Sequence, residues 1–289
     1  MSSSNLLEQV KKLREITGVG FKDCKNAIDE TKGDIEKSIE FLRKKGIAKA
    51  NKRMERVASE GLVSISESNN NFSIVEINSE TDFVAKNNDF ISFVEEISEL
   101  SLLAFGKTED ILNSKMKNTK SVKDNLTLLI SKIGEKITLR RSAYVSNEKS
   151  INFSYVHSSA KKNVGKLGVI LSVLTTKKKN EIENIGKQLS MHIAASSPLA
   201  IDIDGLDQNT LKKEQEIITA ELKNSGKDLQ IIDKIAKGKL NKFINDNTLL
   251  NQEWIMEPKK KVRDVLDEYS GKGNLKIISF VRFKVGEEI

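Results

Sequence analysis

The sequence predicts an α+β protein, and three observations carry that expectation. The first fifty or so residues hold three short helical stripes separated by glycines. After them, strand-like runs followed by helical spacing occur twice, each round closing on a strand with arginine amid apolar residues. The second round is broken by two amphipathic arms joined by a turn. The expected plan is a three-helix unit with its linker at residues 1–56, a subdomain at 57–146, and a subdomain at 147–289. Both subdomains are read as antiparallel sheets flanked by helices. The second carries a helical hairpin inserted at about 209–244.

In the first unit, Leu6, Leu7, Val10, Leu13 and Ile16 trace one stripe, ended by Thr17-Gly18-Val19-Gly20. Its two glycines suit unusual backbone angles. Phe21, Cys24, Ala27 and Ile28 mark a second helix. Asp34 is placed to cap a third, whose stripe is Ile35, Ile39 and Leu42 and whose end is set at Gly46. Three short helices with glycine-bearing turns resemble a ubiquitin-associated domain. The basic, weakly periodic residues 47–57 read as a linker or an extended helix.

The first subdomain begins with strand candidates 61–66 and 72–78, the latter alternating as a half-buried strand does. A helix near 89–104 follows, carrying Phe90, Phe93, Val94, Ile97 and Leu100. Another is marked by Val122, Leu126, Leu129, Ile130 and Ile133, before a strand at 136–145. In the second subdomain, candidates 151–157 and 167–175 precede a helix with Ile182, Ile185, Leu189 and Ile193, and residues 275–285 form the closing strand. The hairpin arms carry Leu211, Ile218 and Leu222, then Leu229, Ile232, Ala236, Leu240 and Phe243, around Asn224-Ser225-Gly226-Lys227. Their narrow stripes suit a coiled-coil seam. The hairpin either projects from the body or folds back as ordinary packing helices.

Composition narrows the function. With 289 residues the chain can bury a sizeable core in two or three domains. Its charge of +7 suits an acidic partner, either nucleic acid or protein. The basic runs Arg43-Lys44-Lys45, Lys177-Lys178-Lys179 and Lys259-Lys260-Lys261 each have acids nearby and read as solvated faces. Cys24 is the one cysteine, so an intrachain disulfide and a cysteine metal cluster are excluded. No apolar run approaches membrane length, and Met-Ser-Ser-Ser-Asn lacks a signal-peptide apolar region, so a cytosolic protein is expected.

Catalytic constellations are scarce. His157 and His192 are the two histidines, without zinc-ligand spacing. His192, at the end of an apolar helix, reads as a packed or capping residue. Phosphate-cradling loops and nucleophile elbows are absent. Strands with aromatics interleaved among basic residues, as RNA binding favours, are not evident. Neither enzyme chemistry nor a cofactor or metal is expected; a protein-binding module is. The outstanding segment is Thr81-Asp82-Phe83-Val84-Ala85-Lys86-Asn87, an Asp-Phe pair on a short turn between strand and helix. Locally it admits two readings. Either Asp82 caps the next helix and Phe83 enters the core, or the turn holds carboxylate and ring out to a partner.

Seven short stretches in the same order make the chain resemble the bacterial elongation factor Ts family. They are Val10-Lys-Lys-Leu-Arg-Glu-Ile-Thr-Gly-Val-Gly20 with Asp23-Cys24-Lys25 and Gly33-Asp34-Ile35-Glu36; Thr81 to Asn87; Tyr155-x-His157 with Met191-His-Ile-Ala-Ala-Ser196; and Phe280-Val-Arg-Phe-x-Val-Gly286. The resemblance implies a guanine-nucleotide exchange factor for elongation factor Tu, binding its GDP-bound and nucleotide-free forms. Thr81, Asp82, Phe83 and Val84 would enter the partner beside its magnesium and phosphate, with Phe83 as the wedge. His157 would lie on the surface meeting factor Tu. Leu13, Val19 and Phe21 would grip it, unless they are ordinary packing residues. Stoichiometry stays open, a homodimer or a 2:2 complex included; membrane and direct nucleic-acid contacts are not expected.

Two departures qualify the carry-over. Ser158-Ser-Ala-Lys-Lys-Asn163 resembles an insertion after His157. The family commonly continues past Gly286 into a C-terminal helical module, whereas this sequence stops at Ile289, so a smaller interface and a weaker complex are expected. The rival reading is a basic RNA- or ribosome-associated protein, supported by the charge and the hairpin.

Overall fold

The structure is a computed structural model that describes residues 3–53, 55–146, 149–223, 229–271 and 273–288. It has the mixed helix and sheet content of the α+β class. The chain divides into two units. One comprises Met1–Ser146, Val156–Gly168 and Phe283–Ile289; the other comprises Asn147–Tyr155 and Val169–Arg282.

The first unit opens with α1 (Ser3–Thr17), α2 (Phe21–Glu30) and α3 (Ile35–Arg53). Val10, Leu13, Val19, Cys24, Ala27, Ile28 and Leu42 are its buried centre. Leu7 and Ile16 belong to the expected stripe but stand exposed. At about 100° per residue, Leu6, Val10, Leu13 and Thr17 share a narrow arc, and Leu7 and Ile16 fall about 60° outside its two edges. Asp34 caps α3, its carboxylate accepting the Lys37 N–H at 3.0 Å. Burial raises the Cys24 thiol's pKa above 9.0, so it stays neutral and donates to the Val19 carbonyl at 3.3 Å.

The expected stop at Gly46 is overturned, because α3 runs on to Arg53. The glycine serves a close approach instead. A Cβ at Gly46 would collide with the Ser131 hydroxyl on α7 (Val122–Ile133).

β1 (Glu60–Ser68) and β2 (Asn71–Ser79) pair antiparallel from Glu60↔Ser79 to Ser68↔Asn71. Asn69 and Asn70 close the hairpin with φ of 49° and 65°, the double left-handed geometry that matches strand twist. A one-turn helix, α4 (Asp82–Ala85), then leads into α5 (Asn88–Leu103) and α6 (Thr108–Asn113). After α7 come β3 (Ile137–Val145), β4 (Ile151–His157) and the short β5 (Val164–Gly165). The four-stranded sheet has the order β3-β2-β1-β5. Leu62, Val75, Ile77, Phe90, Val94, Ile97 and Ile137 share the core with α5.

β2 is not half-buried, as its alternation suggests; every residue from Phe72 to Ser79 is buried. Its second face is covered as well. Ile74 closes on Gly168, where a Cβ would come within 2.9 Å of its Cδ1. Glu76 is enclosed by Arg140 at 3.1 Å, Arg141 at 2.6 Å and the Gly286 N–H at 2.9 Å.

The second unit holds most of a three-stranded sheet, β4-β6-β7, from β4, β6 (Leu167–Thr175) and β7 (Leu275–Lys284). α8 (Lys179–Ser196) buries Ile182, Ile185, Leu189 and Ile193, and Gly186 admits the Phe153 ring. α9 (Gln208–Lys223) and α10 (Leu229–Asn247) pack along each other. Ile218 and Leu222 are buried there and Ile217 and Ile231 exposed. The turn expected at Asn224–Lys227 lies outside the described residues. α11 (Val262–Ser270), which the sequence reading did not foresee, follows the lysine run 259–261.

Candidate functional site

Strand β2 delivers the chain to Thr81 in extended conformation (φ −125°, ψ 158°), and α4 begins at the next residue. Its single turn divides its side chains sharply. Val84 and Ala85 are buried in the core shared by β1, β2 and α5. Phe83 points the other way and is 77 % exposed. A helix of four residues has too few hydrogen bonds to hold itself, so the two buried residues are the anchors that keep the ring outward.

The local expectation that Asp82 caps the next helix and Phe83 enters the core is overturned. Asn87 caps α5, its side-chain oxygen accepting the N–H groups of Asp89 at 2.9 Å and Phe90 at 3.3 Å. That leaves the Asp82 carboxylate exposed and paired with Lys86 at 2.8 Å. The Lys86 bond holds the carboxyl below its usual 3.8. The same ammonium lies 5.8 Å from the Phe83 ring centre, within cation–π range. Asp82, Phe83 and Lys86 thus form one small surface feature, an apolar ring flanked by a displaceable ion pair.

Thr81 is held from another element. Its N–H donates to Glu135 Oε2 at 3.0 Å and its hydroxyl to Glu135 Oε1 at 2.7 Å. The preceding Glu80 accepts the Lys136 N–H at 2.6 Å and Arg56 at 3.1 Å. Partial burial opposes ionisation of Glu80, but these two donors prevail and keep its carboxyl below 4.5. Sequence reasoning missed Glu80 and Glu135, and it named Lys86 within the Thr81–Asn87 segment without giving it a role. For Glu135 no local signal exists, since its partner lies 54 positions away.

The remaining candidates are scattered. Leu13 and Val19 lie in the three-helix core, at 0 % and 4 % exposure, whereas Phe21 is 43 % exposed at the start of α2. Val19 also lines, with Ile16, Ile39, Leu42 and Leu128, a cleft of about 350 Å³. His157 ends β4 with an exposed side chain. Among the described residues no three His, Cys, Asp or Glu side chains are grouped to hold a metal, and no helix is long and apolar enough to cross a membrane.

The family model of elongation factor Ts matches residues 80–287, starting two residues before Asp82. The chain belongs to the elongation factor Ts family. Elongation factor Ts of Methylobacterium nodulans is 42 % identical to it over 283 residues, covering 97 % of this chain and 92 % of the relative. Elongation factor Ts of Xanthobacter autotrophicus is likewise 42 % identical with the same coverage. That of Maricaulis maris is 38 % identical over 285 residues, 97 % of this chain and 91 % of its own. Elongation factor Ts membership places the chain among translation elongation factors.

Proposed function

We propose that this chain is the guanine-nucleotide exchange factor of elongation factor Tu, acting in the cytoplasm and releasing GDP through its Asp82-Phe83 turn. The observation that carries this reading is the outward Phe83 on a helix whose adjacent Val84 and Ala85 are locked in the core. A free chain gains nothing by exposing that ring. A partner that opens an apolar slot gains up to about 2 kcal/mol from burying it.

The mechanism is linkage. Factor Tu holds GDP with the help of magnesium, and a protein that binds the nucleotide-free conformation better lowers nucleotide affinity by the same factor. Phe83 acts as the wedge, its burial being realised only in the distorted partner. That burial corresponds to about thirtyfold at roughly 1.4 kcal/mol per decade. Asp82, whose Lys86 partner is exposed and easily exchanged, redirects polar contacts around the ion. Thr81 and Val84 place the pair, and Phe21 and His157 add contact area. The chain makes and breaks no covalent bond in this scheme.

Stopped-flow release of a fluorescent GDP from factor Tu tests the proposal. Wild-type chain at catalytic concentration is expected to accelerate release, and Phe83→Ala to slow the catalysed rate about tenfold or more with an unchanged melting temperature. A rate identical to wild type removes Phe83 from the mechanism.

A further inference from the structure

We infer that Glu135 is a positioning residue for exchange, fixing the Asp-Phe turn through Thr81; this rests on the function proposed above. The turn closes on itself through the Lys86 N–H to the Phe83 carbonyl at 3.1 Å and the Asn87 N–H to the Val84 carbonyl at 2.9 Å. At the helix start the N–H groups lack helical partners, and the Thr81 side chain makes no capping bond to them. The Thr81 hydroxyl is turned instead to Glu135, together with the Thr81 N–H, so one carboxylate holds both groups. The Ser79 hydroxyl donates to the Thr81 carbonyl at 3.0 Å, completing three bonds on the residue that precedes Asp82. Bonds to an ionised acceptor are the stronger kind, and two on one carboxylate fix direction as well as distance.

The arrangement is reciprocal. Glu135 accepts the Thr81 N–H while Glu80, its neighbour, accepts the Lys136 N–H from the residue beside Glu135. Two adjacent pairs, 80–81 and 135–136, are thereby cross-linked by exchanged carboxylate–amide bonds. Gly134, in left-handed conformation at φ 91°, ends α7 and turns Glu135 toward Thr81. The Lys136 ammonium donates to the Arg56 carbonyl at 2.8 Å, and Arg56 returns to Glu80. The segment leaving α3 is thus tied into the same clamp. Val84 and Ala85 anchor the turn from the core side, and Glu135 fixes the residue from which it starts.

The experiment measures catalysed GDP release from factor Tu against exchange-factor concentration, for wild type, Glu135→Ala, Glu135→Gln, Phe83→Ala and the Glu135→Ala/Phe83→Ala pair. Glu135→Ala is expected to lower the plateau rate about tenfold, the factor that ordering one residue's backbone is worth. Its half-saturating concentration should change less. Glu135→Gln is expected to stay within about twofold of wild type, since its amide accepts from the Thr81 N–H and donates to the hydroxyl oxygen. The double variant should be no slower than Phe83→Ala alone, because both changes disable one device.

Multiplying effects in the pair, or a wild-type plateau for Glu135→Ala with only a lower melting temperature, overturns the role. A wild-type chain that fails to accelerate release overturns the exchange reading and the role together. Amide hydrogen exchange of the chain alone isolates the clamp. Faster exchange at Thr81 in Glu135→Ala, with α5 unchanged, supports it, and unchanged exchange at Thr81 overturns it.

Discussion

At the scale of single residues, His192 shows how far local reading reaches. A lone histidine on an apolar helix reads as packed, and it is fully buried. Its Nδ1 accepts the Ile255 N–H at 3.4 Å, so Nε2 carries the proton and donates to Gln252 at 3.0 Å. Gln252 spends both amide hydrogens on the carbonyls of Ser196 and Asp246, leaving only its oxygen for the ring. Trp254 stacks at 5.2 Å. Neither of these residues is near His192 in sequence, so the partners were not legible although the burial was. Burial pushes the imidazole's pKa below 6.5, against a smaller opposing effect of Gln252. The sign follows: below 6.5 the unfolded chain binds a proton that the folded chain refuses, so stability falls as pH drops through that value. The decline is expected to reach at most about 1.4 kcal/mol per pH unit. Urea unfolding at several pH values between 7.5 and 5.5 checks it, with His192→Asn losing this slope. An equal slope in the variant assigns the effect to another group. Carboxylates such as Glu80, held below 4.5, titrate beneath this window.

At the scale of elements, the strands and long helices were legible because each displays its period. The run Leu167–Thr175 is an apolar strand with its predicted limits. Misreadings arose where one element's environment depends on another. β2 looked half-buried because Glu76 and Asn78 read as solvent positions. Two arginines and a tail N–H make Glu76 a buried anion, and the Asn78 amide donates to it at 3.1 Å. Gly46 looked like a helix stop because glycine is a poor helix former, when α3 needs it to meet α7. Replacing it with alanine tests that account, since helix propensity alone predicts a gain of up to about 1 kcal/mol. The new methyl would strike the Ser131 hydroxyl, whose Cβ would lie at an ordinary 3.5 Å. Gly46→Ala is therefore expected to be destabilising, by about 1–3 kcal/mol as other overpacked sites are. Ser131→Ala removes the obstructing oxygen, which is buried without a hydrogen-bond partner, so the double variant should regain wild-type stability or exceed it. Thermal melts of the four proteins decide. A stable Gly46→Ala single variant would show that the Ser131 hydroxyl swings to another rotamer and admits the methyl.

At the scale of the whole molecule, the family was legible because its motifs survive in order, while the clamp on the turn was not, because its halves are far apart in sequence. Exchange itself is a whole-molecule property, for it requires that one protein's binding energy be set against another's nucleotide. Reciprocity makes this measurable without kinetics. If the chain binds nucleotide-free factor Tu better than the GDP form, the ratio of its two dissociation constants must equal the ratio by which it weakens GDP. Calorimetric titration of the chain into factor Tu, with and without saturating GDP, gives the first ratio. Titration of GDP into factor Tu and into the complex gives the second. Under the proposed mechanism both are expected to exceed the roughly thirtyfold that Phe83 burial alone would contribute, since loss of magnesium and phosphate contacts would add to it. Phe83→Ala should lower the two ratios together by that same factor, because a wedge that acts only on the distorted partner changes no other equilibrium. Ratios of one would mean that the chain binds factor Tu without regard to nucleotide, and the exposed ring would then be a docking contact and no wedge.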